Sequence, residues 1–323
     1  MSNSNKYAFD IDVSADTYSG EQALPYVGAA TLGAETIAKG RARLIEGVTG
    51  KAVVSGLSVA DPIVAANCST VNGANITLTE QVATLSDLLV SEQICRKTIF
   101  PTYIAAQNRM NRDGDLPPSF SDFMLLHLAK RAGDHLEDLM WAGSTPFGTG
   151  FLSNDGTVDE AGIDASACKD FAEADIATNG GTVASIDNAL ETVITKVYDT
   201  KPEITEKPGF GIYMSYAKYG LYLQHLAAQG YDNRYQGADL RTATFMGFPV
   251  YPCAGIPGSV PVFLATYPEN LVVATNNFTA DSEASIIPRY KYDGSDNVQA
   301  TMRFAVGVQT AVATDGVVGF NFT

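Results

Sequence analysis

Charge, histidine and cysteine are all scarce in this 323-residue chain. Asp, Glu, Lys and Arg together make up 18% of it, against about 25% in ordinary globular domains. Fewer charges mean less surface facing water, which favours a chain covered on several sides by partners, although a large monomer shows it too. The three histidines supply little for metal or general-base chemistry. His127 and His135 stand eight apart on one helical segment, off the i, i+3 or i+4 spacing of helical metal ligands. The spacing places His127 on an apolar stripe, as a core residue. His225 has no Ser, Cys or acid at triad spacing. Gly143–Gly150 (GSTPFGTG) lacks the lysine of a phosphate loop, and no GxGxxG opens a βαβ unit. No catalytic residue, cofactor or metal is assigned, and the chain reads as structural rather than enzymatic.

Cys68, Cys95, Cys168 and Cys253 lie far apart without a CxxC pair, which suits buried thiols in a reducing compartment. The most apolar stretch, Phe304 to Phe320, is interrupted by Gln309, Thr314 and Asp315, so no membrane helix is expected. The polar start, MSNSNKYAFDIDVS, has neither the basic nor the apolar part of a signal peptide.

Acid is what the chain does have. Its 36 Asp and Glu outnumber 21 Lys and Arg, for a net charge of −15. Tight nucleic-acid binding needs many cationic phosphate contacts, and this balance opposes it. A shell that merely encloses nucleic acid remains compatible.

The most informative segment follows Gly50. Lys51 to Val71 is rich in strand formers, Asn72-Gly73 is the dipeptide preferred in type I′ turns, and Asn75 to Thr79 alternates as a strand should. Fully extended, such an arm reaches roughly 70 Å at about 3.3 Å per residue, beyond the radius of a compact domain. A lone hairpin is at best marginally stable, so this one is expected to lie on a neighbouring copy. Asp61-Pro62 and Glu80-Gln81 are its weak points.

Residues 1–32 read as an irregular arm broken by Gly20, Pro25 and Gly28. Gly33 to Glu46 reads as a short helix with Lys39, Arg41 and Arg43 on one side. Helix is also expected beyond Pro101, as far as Arg112. Ser119 sits where an N-cap belongs. From there to Ala142 runs a long helix with a stripe of Phe120, Phe123, Met124, His127, Leu128, Ala132, Leu136, Leu139 and Met140. Gly133 at its middle predicts a bend or a close backbone contact. Ser144 to Gly181 reads as loops and short strands.

Ser185 is expected to cap a second helix, with Ile186, Leu190, Val193, Ile194 and Val197 inward and Pro202 ending it. A buried strand over Phe210 to Met214 leads into a helix over Ser215 to Gln229. Strands near Thr244–Pro252 and Pro261–Thr266 complete an α+β unit. From Leu271 the chain is all strand, and these strands are expected to return to the long helix. Tyr231 and Tyr235, with Asp232, Arg234, Asp239 and Arg241, form a polar loop suited to an interface.

This order of arm, ribbon, long helix, inserted α+β domain and returning strands resembles the major capsid proteins of tailed bacteriophages, the Hong Kong 97-type capsid fold. In Gly73–Thr84 (GANITLTEQVAT), Ser91–Lys97 (SEQICRK), Leu116–Ser121 (LPPSFS), Glu137–Gly143 (EDLMWAG) and Phe245–Pro257 (FMGFPVYPCAGIP), it is most similar to capsid proteins of crAss-like and related phages of Bacteroidota. The resemblance implies an N-terminal arm at 1–46 and an extended loop at 47–95. It implies a peripheral domain at 96–180 and 271–323, with spine helix 119–142, and an axial domain at 181–270. It further implies hexamers and pentamers closing into an icosahedral shell around double-stranded DNA, held without sequence-specific contacts. Portal, separate scaffolding and decoration proteins would be partners. The chain would be assembled in the bacterial host cytoplasm and end in the virion, with no membrane and no cofactor.

Expected inter-subunit contacts are Lys39, Arg41 and Arg43 on the arm, Lys51, Asn72, Ile76 and Leu78 on the loop, and Tyr231, Asp232, Arg234, Tyr235, Asp239 and Arg241 near the capsomer axis. An encapsulin-like nanocompartment shell enclosing protein cargo is the alternative of the same fold. A soluble enzyme or a secreted binding module fits the sequence less well.

Overall fold

The computed structural model describes residues 17–19, 23–59, 76–95, 98, 101, 104, 120–143, 150–152, 171–176, 180–229, 243–259, 261–276, 283–289, 292, 294–295 and 297–320. In chain order the elements begin with β1 (Thr17–Ser19), α1 (Leu24–Thr31), α2 (Glu35–Ala38), β2 (Arg43–Ile45), β3 (Lys51–Val59), β4 (Ile76–Thr84) and β5 (Ser86–Cys95). They continue with α3 (Phe120–Ala142), β6 (Ala172–Asp175), α4 (Ile186–Thr200), β7 (Gly211–Ser215), α5 (Tyr216–Ala228), β8 (Thr244–Phe245) and β9 (Phe248–Cys253). The last are β10 (Phe263–Thr266), β11 (Leu271–Thr275), β12 (Glu283–Pro288), β13 (Asn297–Thr310) and β14 (Val317–Phe320). Two compact units result. One comprises Met1–Gly33, Leu89–Gly133 and Asn277–Phe304, the other Ala34–Leu88, Asp134–Asn276 and Ala305–Thr323.

In the first unit, β12 pairs antiparallel with β1 and with the first half of β13. Val298, Ala300, Met302 and Phe304 are buried in alternation with more exposed neighbours, the period of a one-sided strand. β5 also pairs with β13, and Gln299 Nε2 donates to Ser91 Oγ at 3.0 Å. The segment expected to be irregular holds helix α1. Pro25 stands in its first turn, where a missing N–H costs nothing.

Gly133 meets this unit's arm at close range, as its position in α3 predicted. A Cβ built there would lie 2.8 Å from the Ala30 carbonyl and 3.0 Å from Gly33 Cα. The buried face of α3 differs from the expected stripe. Met124, Leu125, Leu128 and Ala129 are buried, whereas His127 is exposed. The helical period was right, but the arc that faces inward is turned toward Leu125 and Ala129.

The second unit is built on the sheet β6-β14-β10-β7-β9-β8. All five residues of β7 are buried at its centre, antiparallel to β10 and parallel to β9. Helix α4 covers it with Ile186, Leu190, Val193, Ile194 and Val197, each at most 1% exposed, and ends before Pro202 as expected. Ser185 occupies the N-cap position without capping. Its hydroxyl turns back to Thr182 Oγ1 at 2.9 Å. Ser215 does cap α5, accepting from Lys218 N–H. Val317–Phe320, expected with the other returning strands, lies instead between β10 and β6.

The ribbon belongs to this unit. β3 and β4 pair antiparallel from Lys51↔Thr84 to Val59↔Ile76, a ladder of nine residues. With Val59 opposite Ile76, residues 60–75 join the strands. The expected Asn72-Gly73 turn lies in that segment, outside the described residues. Ser86–Cys95, grouped by sequence with the loop, is a separate strand.

Candidate functional site

Residues 34–55 and their partners form a connected set of polar side chains in the second unit. Helix α2 is four residues long because Gly40, at φ +64°, turns the chain. Gly40 N–H bonds the Ile37 carbonyl and Arg41 N–H the Thr36 carbonyl, a Schellman termination. The helix expected over 33–46 thus stops early, and Lys39, Arg41 and Arg43 do not share a side.

Thr36 is buried against α3. Its N–H donates to Glu137 Oε2 at 2.9 Å and its hydroxyl to Glu137 Oε1 at 2.5 Å. Trp141 Nε1 donates to Thr36 Oγ1 at 2.8 Å and to Glu137 Oε1 at 3.0 Å. Glu137 is 2% exposed, and burial pushes its carboxyl above the usual value of 4.5. Phe151 and Tyr213 enclose Trp141, with ring centroids 5.4 and 5.8 Å away.

Arg41 is a correction to its place among inter-subunit contacts. It is buried in its own unit, where Nη1 donates to the Pro252 carbonyl and lies 3.6 Å from Cys253 Sγ. Its guanidinium stacks 5.2 Å over Tyr251, and its carbonyl accepts from Tyr213 Oη at 3.1 Å. Burial pushes the Cys253 thiol up to about 12.

Lys39 pairs within the chain, with Glu35 and with Tyr216 Oη at 3.1 Å. Tyr216 also donates to Glu35. Burial alone would raise the Glu35 carboxyl, but the bonds from Lys39 and Tyr216 outweigh it, and the group sits below 4.5. Arg43 is exposed on β2, which pairs with β11, and Lys51 is exposed at the ribbon's root. Ile76 and Leu78 stand in β4, with their side chains outside the description. Asn72, Tyr231, Asp232, Arg234, Tyr235, Asp239 and Arg241 lie outside the described residues.

The ribbon has two unlike faces. Ala52 and Ala83 pack on Ala274 of β11, with Val48 and Leu85 beside them. Gln309 Nε2 donates to Gln81 Oε1 at 2.8 Å. Gly307 lets the Thr84 backbone approach where a Cβ would collide. On the other face Val53 and Val82, direct cross-strand partners, are 59% and 43% exposed. The root is thus satisfied by its own unit, while an apolar pair faces outward.

These groups are tethers rather than reagents. His225 likewise serves packing, with Nδ1 2.9 Å from the Val183 carbonyl. Among the described residues no three His, Cys, Asp or Glu converge as metal ligands, and no helix is long and apolar enough to cross a membrane. Sequence reasoning missed Thr36, Glu137 and Trp141. The available signal was an acid inside an apolar run, with Leu136, Leu139 and Met140 around Glu137.

The mixed helix-and-sheet fold is that of phage capsid proteins. The chain is similar to the capsid of the native GTA particle over 91% of its own length and 90% of that chain, at 12% identity and TM-score 0.57. A solved structure of Microbacterium phage Oxtober96 matches at 14% identity over 90% and 92% of the two chains, with TM-score 0.52. The satellite phage P4 procapsid matches at 11% identity over 91% and 96%, with TM-score 0.50. No protein-family model and no curated protein matches the sequence.

Proposed function

We propose that this chain is the major capsid protein of a tailed bacteriophage, a structural subunit forming hexamers and pentamers of an icosahedral shell around double-stranded DNA. The observation that carries the reading is the shared fold across nine-tenths of both chains with the GTA capsid. The outward Val53–Val82 pair supports it, since exposed cross-strand valines on a two-stranded ribbon are covered when a neighbour lies over them. The low charge content has the same explanation.

In this reading the fold is of the Hong Kong 97 type, in the form carried by crAss-like and related phages of Bacteroidota. Residues 1–46 are the arm, 47–95 the extended loop, 96–180 and 271–323 the peripheral domain, and 181–270 the axial domain. Arg43 and Lys51 meet acidic surfaces of neighbours, and the 229–241 loop approaches the capsomer axis. Portal, scaffolding and decoration proteins complete the particle.

Expression of the protein alone followed by electron microscopy tests this. Closed particles or flat sheets are expected, and dispersed monomers at high concentration would refute it. Deleting Gly56–Leu78 should leave a folded core that no longer assembles, so normal particles from that variant would count against the ribbon's role. Shells packed with a protein cargo instead of DNA would overturn the genome assignment.

A further inference from the structure

Met246 sits at the tip of the hairpin joining β8 to β9. Phe245 and Phe248 face each other across it, so Met246 and Gly247 alone make the turn. Their φ angles, +49° and +89°, belong to a type I′ turn, whose twist matches that of the strands. The first position of such a turn favours Asn, Asp or Gly, because a Cβ there crowds the following carbonyl. Among the described residues Met246 is the one non-glycine residue with a positive φ. Burial within the chain does not compensate, since Met246 is 63% exposed.

The base of the hairpin is held fast. Tyr222 Oη donates to the Thr244 carbonyl at 2.8 Å, and its ring meets Phe245 edge-on at 6.2 Å. Phe248 packs edge-on against Phe210 at 5.1 Å. Val250 N–H donates to the Ala243 carbonyl at 2.9 Å. The tip therefore holds an adaptable, polarisable thioether away from the body on a stiff mount. Strain kept at an exposed position points to a role outside the subunit's own stability.

Charge identifies the partner. From Thr242 to Pro268 the sequence has no Asp, Glu, Lys or Arg, although the chain carries −15 overall. Copies of so acidic a chain repel one another, and they meet at least electrostatic cost where neither presents charge. We infer that the Met246 hairpin is a contact knob seated in an apolar recess of a second copy of this chain. The inference rests on the shell reading and adds a specific contact to it.

Peroxide footprinting tests it. Hydrogen peroxide transfers one oxygen to a thioether, giving the sulfoxide and water, and peptide mass spectrometry locates the product. Met124, Met140, Met214 and Met302 are at most 2% exposed and serve as internal controls. Met246 should oxidise readily in dispersed subunits and at a small fraction of that rate in closed particles. Met246→Asn should raise the Tm of the dispersed subunit by roughly 2 °C, because Asn suits the turn. The same change should raise the critical concentration for assembly about tenfold, through loss of the buried apolar contact. Equal oxidation in particles and subunits overturns the inference, as does a variant that assembles at the wild-type concentration. Failure of the wild type to form particles removes the shell reading and this contact together. If particles form, the footprint bears on the hairpin alone.

Discussion

Glu137→Gln probes the tether between α2 and α3. The carboxylate accepts three hydrogen bonds, from Thr36 N–H, the Thr36 hydroxyl and Trp141 Nε1–H. A glutamine has only one oxygen. Turned to the Thr36 amide, it sets its NH2 against the Thr36 hydroxyl, which loses its acceptor while the indole keeps Thr36 Oγ1; flipped, it sets the NH2 against the amide N–H. Either orientation leaves a buried donor unpaired, at a cost of about 1–3 kcal/mol. Trp141 is the only tryptophan in the chain, so its fluorescence during urea unfolding reads the loss at the site itself.

The pH dependence has a definite sign. Burial foremost, with Glu35 adding, holds the Glu137 carboxyl above 4.5 despite the opposing bonds from Thr36 and Trp141. The folded state therefore binds this proton more tightly than the unfolded state does. The resulting stabilisation is complete below pH 4.5 and is lost as pH rises through the raised folded value. Glutamine does not titrate. The gap between wild type and Glu137→Gln should be widest in acid and narrow as the pH rises. A variant of wild-type stability, or a gap that widens with pH, refutes the reasoning.

Gly133→Ala should lower Tm although alanine favours helix by about 1 kcal/mol. The new Cβ meets backbone atoms of Ala30 and Gly33 that have no rotamer to yield, and overpacking costs about 1–3 kcal/mol. Gly220→Ala in α5, where nothing lies within 4 Å of the built Cβ, should instead gain about 1 kcal/mol. Thermal denaturation of both variants decides, and a Gly133→Ala protein as stable as wild type would contradict the close approach. Native alkylation followed by mass spectrometry should label Cys95 well before Cys253, because the buried Cys253 thiol, held up to about 12, has almost no thiolate at neutral pH. Comparable labelling of both would show that Cys253 is accessible.

Much of the fold was legible where a pattern is local. The α4 stripe was read residue by residue, because a core-facing helix writes its period into consecutive turns. The buried strand leading straight into a helix was legible for the same reason, although Ser215, read as the helix's first residue, ends β7 and caps α5 instead. The β3–β4 ribbon was visible in its valines, but its register was not, because alternation alone allows several pairings and only the structure sets Val59 opposite Ile76. His127 fell on an apolar stripe by spacing alone, and a period cannot say which arc of a helix its neighbours will cover. Arg41 looked like a surface cation until Gly40 turned it inward to Pro252.

Local sequence decided which segments are helix or strand, since propensity, periodicity and end signals act over a few residues. Tertiary structure decided which faces are covered and which charges are consumed. Thr36 meets Glu137 from 101 residues away, and Val317–Phe320 enters the sheet between strands distant in sequence. Such meetings depend on pairing and packing energies summed over the whole unit. No short window of the chain contains them.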